Sequence, residues 1–194
     1  MRAVDDLSLT VASGEVLGVL GESGSGKSTF ARAVMGLVPE ATVAGGLRFA
    51  GRDLQALDEH GWRELRWHHI ALSFQSGSAL NPVLRVGDQI AEPLQVHLGM
   101  GRRAAAVRAE EVLTEVGLGP WAASRHPREL SGGQRRLALL AMALSCQPEL
   151  LILYEPTAGL DPVTRELVSG LLGRLRDGGA SLVVLSHDAD VLAE

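Results

Sequence analysis

Apolar residues in this chain fall into short continuous runs, separated by glycine-rich turns and by longer stretches of mixed polarity. Val16-Leu17-Gly18-Val19-Leu20 reads as a strand buried on both faces of a sheet. Ile70-Ala71-Leu72-Ser73-Phe74, Leu150-Leu151-Ile152-Leu153 and Leu182-Val183-Val184-Leu185 are further strands of the same texture. Leu7, Leu9 and Val11 alternate with Ser8, Thr10 and Ala12, which predicts a half-buried strand ahead of the turn Ser13-Gly14-Glu15. Leu47-Arg48-Phe49-Ala50, before Gly51, predicts one more short strand. Helical stretches run from Lys27 to about Leu37, from after Ser131 to about Ser145, and onward from Asp161-Pro162. Between about residues 83 and 128 the texture is helical throughout, with charged clusters such as Arg102-Arg103 and Glu110-Glu111 that read as a solvated face. Strands alternating with helices predict an α/β fold: a mostly parallel sheet covered by helices, carrying a small N-terminal antiparallel β part and an inserted helical subdomain at 83–128.

Composition narrows the class. A length of 194 residues suits a single domain over 1–194, and 46% hydrophobic with 21% charged residues supports a packed core rather than disorder. Aromatics make up only 4%, so aliphatic side chains and alanine must fill that core. A formal net charge of -5 argues against a general nucleic-acid binder. Cys146 is the single cysteine and follows an apolar helical run, which predicts a buried, unreactive thiol in a reduced compartment. The start Met1-Arg2-Ala3-Val4-Asp5-Asp6 has no signal-peptide core, and the most apolar helical stretch, Leu137–Cys146, is shorter than the ~18–20 residues a membrane span needs. The expectation is a soluble chain that reaches a membrane only through a partner.

Chemistry enters with Gly21-Glu22-Ser23-Gly24-Ser25-Gly26-Lys27-Ser28-Thr29, which fits G-x-x-x-x-G-K-[ST] after a strand and before a helix. Glycines let the backbone take positive φ and bring its N–H groups against phosphates, and the following helix turns its positive end to the same anion. In such a P-loop Lys27 reaches the β- and γ-phosphates and Ser28 offers its hydroxyl to Mg²⁺, with Thr29 supporting the helix start. A second glycine pair, in Leu130-Ser131-Gly132-Gly133-Gln134, follows Ser131, a suitable N-cap, and is by itself an ordinary helix start.

Taken with the P-loop, the Ser131–Gln134 stretch resembles the signature motif of the ATP-binding subunits of ABC transporters, and the resemblance extends over nearly the whole chain. It implies a P-loop NTPase fold, ATP and Mg²⁺ as cofactors, and ATP hydrolysis coupled to transport. In that resemblance Gln75 matches the glutamine that contacts metal and attacking water, and Glu155 the general base. Asp161, in Ala158-Gly159-Leu160-Asp161, matches the loop that speaks across a dimer interface, and His187 the histidine that contacts the γ-phosphate. Gly21–Thr29 and Ser131–Gln134 would bind nucleotide, the latter completing the site of a second ATP-binding subunit in a homo- or heterodimer. Ala79–Leu94 is similar to the segment that follows the glutamine in importers of dipeptides and oligopeptides, and in related importers of nickel and glutathione. This implies uptake of peptides or similar small solutes with membrane-spanning permease subunits, placing the chain in the cytoplasm on the inner face of the cell membrane. The same segment and the acidic balance oppose an ABC ATPase that acts on nucleic acid.

The sequence also departs from the family. Tyr154 stands where the family has an aspartate that helps hold Mg²⁺. A phenol with a reference pKa near 10 is neutral at pH 7 and a poorer oxygen for a hard cation. Nucleotide binding is expected to survive this change better than turnover, which leaves open a catalytically impaired subunit that lends its signature motif to a partner. Gly77 replaces a frequent proline in a loop that is one residue short. No aromatic precedes Phe30, so the family's adenine-stacking residue is missing, at an expected cost of roughly 1–3 kcal/mol. The chain also stops seven residues after His187, which reads as a shortened form whose sheet edges would be open to aggregation.

Overall fold

All four continuous apolar runs form strands of one sheet. The structure is a computed structural model and describes residues 3–38, 43–73 and 79–188. Along the chain the strands are β1 (Val16–Leu20), β2 (Arg48–Phe49), β3 (Arg52–Asp53), β4 (Ile70–Ser73), β5 (Leu150–Tyr154) and β6 (Ser181–Ser186). The helices are α1 (Lys27–Val34), α2 (Glu59–Leu65), α3 (Val86–Leu98), α4 (Arg102–Glu115), α5 (Gly132–Leu144) and α6 (Pro162–Asp177), with 3₁₀ turns at Pro120–Ser124 and Pro127–Glu129. The main sheet has the order β1-β6-β5-β4 and every pairing in it is parallel. β2 and β3 form a separate two-stranded antiparallel ladder.

Alternate residues of each central strand enter opposite cores, which is why these runs carry no polar alternation. Leu151 and Leu153 of β5 and Leu182 and Val184 of β6 face a cluster built with Val86, Ile90, Val112, Leu113, Leu137 and Leu140 of α3, α4 and α5. Ile152, Val183 and Leu185 face the other cluster, with Ala31 of α1 and Leu65 of α2. The helical stretch expected at 83–128 is present as α3, α4 and the 3₁₀ turns, and its apolar residues share the first cluster with the sheet.

β1 is less buried than its composition suggests. It lies at an edge of the described sheet, its residues are only partly covered, and Leu20 is exposed. Leu7–Val11 is not a strand. Alternation produces a strand only beside a partner, and β2 and β3 pair with each other; Leu7 and Leu9 are exposed, while Val11 packs against the second cluster. The antiparallel part is therefore β2–β3 alone among the described residues.

Two elements had no expectation in the sequence. β3 closes a tight turn over Ala50 and Gly51, both at positive φ. α2 is capped by Asp58, whose side chain accepts from the Gly61 N–H at 2.8 Å. α2 locks against the end of α1: Arg66 donates to the carbonyls of Met35 and Gly36 at 2.9 and 3.0 Å and lies over the Trp62 ring.

Candidate functional site

Register assembles the site. β1 pairs Leu20 with Ser186 of β6, and β6 pairs Leu185 with Tyr154 of β5. The residues that follow these strand ends, Gly21, His187 and Glu155, therefore emerge at the same edge of the sheet. The carboxyl ends of parallel strands are where open α/β sheets present ligand sites. Gly21 N–H donates to the Ser186 carbonyl at 3.1 Å, which ties the glycine loop to β6.

Glycine is required in this loop for two separate reasons. Gly24 and Gly26 have φ of 86° and 96°, a region that side chains disfavour. A Cβ on Gly26 would also collide with the Ala3 carbonyl oxygen. The loop runs directly into α1, whose first residue is Lys27. Lys27 is buried, its ammonium donating to the carbonyls of Gly21 and Glu22. Ser28, in the first turn of α1, is exposed beside the loop, as are Glu22, Ser23 and Ser25; Thr29 is half-buried.

Glu155 is also buried, at 5% exposure. Its Oε1 is 3.8 Å from the Lys27 ammonium, its Oε2 is 2.8 Å from Nδ1 of the exposed His187, and the Ser186 hydroxyl donates to Oε2 at 3.2 Å. Its backbone φ is 50°, a left-handed conformation costing on the order of 1 kcal/mol in a residue other than glycine. Two contacts hold it there. Its N–H donates to the Leu185 carbonyl at 2.7 Å, and its carbonyl accepts from Arg136 of α5 at 3.0 Å. A buried carboxylate between a lysine and an imidazole can accept a proton from a water brought against it.

Tyr154 is half-buried and packs on the second core cluster. Ser131 caps α5 through a reciprocal pair: its hydroxyl accepts from Gln134 N–H at 3.2 Å, and Gln134 Oε1 accepts from Ser131 N–H at 2.9 Å. Gly132 lies exposed in the first turn, and Gly133 abuts α6, where a Cβ would lie 2.9 Å from the Thr164 hydroxyl. These residues form a helix N-terminus of their own, beside α6. Asp161 caps α6, accepting from the Thr164 N–H at 3.0 Å and hydroxyl at 2.7 Å, bonds that hold its carboxyl below the usual range. Gln75 and Gly77 lie outside the described residues. Phe30 packs against the second core. Sequence reasoning did not pick out Ser186 or Arg136. Ser186 could have been suspected beside His187; nothing local marks Arg136, which bonds carbonyls 19 and 22 residues away.

Strand, glycine loop and helix, with the Glu155 pair beside them, are the arrangement of a nucleotide cassette, and the sequence profile of the ABC transporter family matches residues 4–158. The chain belongs to the ABC transporter family. Within it, the chain is 41% identical over 200 residues to the dipeptide transport ATP-binding protein DppD of Escherichia coli (strain K12), covering 100% of this chain and 61% of DppD. It is 44% identical over 200 residues to the oligopeptide transport ATP-binding protein OppD of Mycobacterium tuberculosis (strain ATCC 25618 / H37Rv), covering 100% of this chain and 33% of OppD. The chain thus spans about three fifths of DppD and a third of this OppD. Among solved structures, the ATP-binding cassette MJ0796, in a dimeric post-hydrolysis state bound to ADP and Pi, superposes with a TM-score of 0.89 at 30% identity, over 97% of this chain and 82% of that one. The two chains thus share their fold although they differ at more than half of the aligned positions.

Proposed function

We propose that this chain is the ATP-binding subunit of an ABC importer, coupling ATP hydrolysis to the uptake of peptides or similar small solutes. The observation that carries the reading is the buried Glu155 carboxylate, held between Lys27 and His187 next to the glycine loop. The names of the relatives, dipeptide and oligopeptide transport ATP-binding proteins, support the solute class.

In this reading the N–H groups of Gly21–Thr29 cradle the phosphates and Lys27 neutralises their charge. Glu155 is the base for the attacking water, with His187 and Gln75 beside the γ-phosphate. Mg²⁺ would be held by Ser28 and Gln75. Among the described residues no group of three or more His, Cys, Asp or Glu could hold a metal ion by itself. Mg²⁺ commonly binds through one or two protein groups plus phosphate oxygens, so the exposed Ser28 hydroxyl beside the glycine loop fits it as the companion of a nucleotide. The bound ion would supply charge neutralisation at the phosphates.

Ser131–Gln134 and Asp161 would face a second ATP-binding subunit, and permease subunits would hold the pair at the inner face of the membrane. No helix among the described residues is long and apolar enough to cross a membrane.

The test is steady-state ATP turnover of the chain beside Glu155→Gln, with ATP binding measured in both. Turnover is expected to fall by about 10²–10⁴-fold in the variant while binding persists, the usual worth of a general base. Binding without turnover in the unchanged chain would refute hydrolysis as its function.

A further inference from the structure

Glu155 sits in a backbone conformation that a glutamate does not favour, and the turn it opens must be held by something. That turn, 155–160, has weak internal bonds. Ala158 N–H reaches the Glu155 carbonyl at 3.4 Å and Leu160 N–H the Thr157 carbonyl at 3.3 Å. Arg136, in the second turn of α5, supplies what the turn lacks. Its Nη1 donates to the Glu155 carbonyl at 3.0 Å and to the Ala158 carbonyl at 2.6 Å, bridging the first four residues of the turn.

The position of Arg136 is itself constrained. α5 is anchored at its start by the Ser131–Gln134 capping pair and by Gly133 against Thr164 of α6. α6 in turn begins at Asp161, just after the turn that Arg136 grips. The contacts close a ring: α5 to the 155–158 turn through Arg136, the turn to α6 through the chain, and α6 back to α5 at Gly133. Burial disfavours the charge on Arg136, and the nearby Glu155 carboxylate partly offsets that cost. A guanidinium placed there and aimed at two carbonyls acts on backbone position.

We propose that Arg136 is a positioning residue: it latches α5 to the turn that carries Glu155 and thereby sets the placement of the Glu155 carboxylate against the water that attacks the bound nucleotide. This rests on the proposed ATPase function. Because the latch starts one turn from Ser131–Gln134, a ligand that shifts the start of α5 would shift Glu155 with it.

The experiment uses Arg136→Met, which keeps the length of the side chain and removes its donors, and Arg136→Lys, which restores an ammonium donor. ATP turnover, ATP binding and amide hydrogen exchange across residues 155–160 are measured for both and for the unchanged chain. In Arg136→Met, kcat is expected to fall about 10- to 100-fold, the effect of a displacement on the order of 1 Å at a reacting group. KM and nucleotide affinity stay within about twofold, exchange at Ala158 and Leu160 rises, and Arg136→Lys recovers much of both. Unchanged turnover in Arg136→Met overturns the proposal, whatever the exchange shows. So does a loss of kcat matched by an equal loss of nucleotide affinity, or one with no change in exchange at the turn. If the unchanged chain hydrolyses no ATP, the ATPase reading fails by itself; exchange then decides the latch, and protection unaltered by Arg136→Met overturns it. Should Arg136→Met not fold, Arg136→Gln takes its place in the same assays.

Discussion

Tyr154 and Glu155 are adjacent, yet the structure gives them opposite surroundings. Glu155 is buried beside Lys27 and His187, whereas Tyr154 leans on the apolar cluster shared with α1 and α2. Tyr154 is therefore a packing residue as well as a missing carboxylate, and Tyr154→Asp changes both properties. An aspartate there offers Mg²⁺ a hard anionic oxygen, so the Mg²⁺ concentration for half-maximal turnover is expected to fall. It also gives up the contacts of a half-buried ring and partly desolvates a charge, at about 1–3 kcal/mol. In a chain of this size that lowers Tm by roughly 2–10 °C. A Mg²⁺ titration of turnover and a thermal melt, run on both proteins, check the two effects separately. Equal Mg²⁺ dependence would mean that Ser28, Glu155 and the phosphates place the ion unaided.

At the scale of elements, what could be read from the sequence depended on how local its cause was. The P-loop and the strands β4, β5 and β6 are specified by contiguous residues, so pattern alone located them. α2 offers only Trp62 and Leu65 as an apolar stripe, with Gly61 inside it, and its order comes from Asp58 and from α1. The Leu7–Val11 alternation promised a strand, but a strand needs a neighbour, and none is supplied among the described residues. In the candidate site, Lys27 was legible from the glycine loop itself, and Glu155 and His187 only through the family resemblance, each standing just after a strand. Arg136 was not, because its role depends on a turn far along the chain. The α1–α2 junction gives a test of such a long-range constraint. Gly36 has φ of 62°, and a Cβ there would lie 2.5 Å from the Trp62 ring, over which Arg66 also lies. Gly36→Ala must adopt a disfavoured backbone and displace the indole, so a loss of about 2–4 kcal/mol is expected, read as a lower denaturant midpoint at unchanged slope. A loss below ~0.5 kcal/mol would show that the junction is loose.

For the molecule as a whole, the decisive feature is that both clusters are built on opposite faces of the same strands. Ile152 and Val183 belong to one, while Leu151, Leu153, Leu182 and Val184 belong to the other. Neither face can be lost without exposing the strands that carry the other, and the glycine loop, Glu155 and His187 hang from the ends of those strands. Nucleotide held at that edge therefore engages a sheet that is formed only in the folded chain, and its binding energy adds to the stability of the whole. With ATP at about 100 times its dissociation constant, the added stability is about 2.7 kcal/mol, which for this length corresponds to roughly 5–10 °C in Tm. Both cores should melt in one transition, so near-ultraviolet dichroism of Trp62 on the α1–α2 side should shift with nucleotide as far as helix content does. Lys27→Ala removes the charge proposed to face the phosphates, and its melt is expected to lose most of the nucleotide-dependent shift. A nucleotide shift that survives in Lys27→Ala would place the ligand elsewhere on the molecule, and two separated transitions would mean that the faces of the sheet unfold independently.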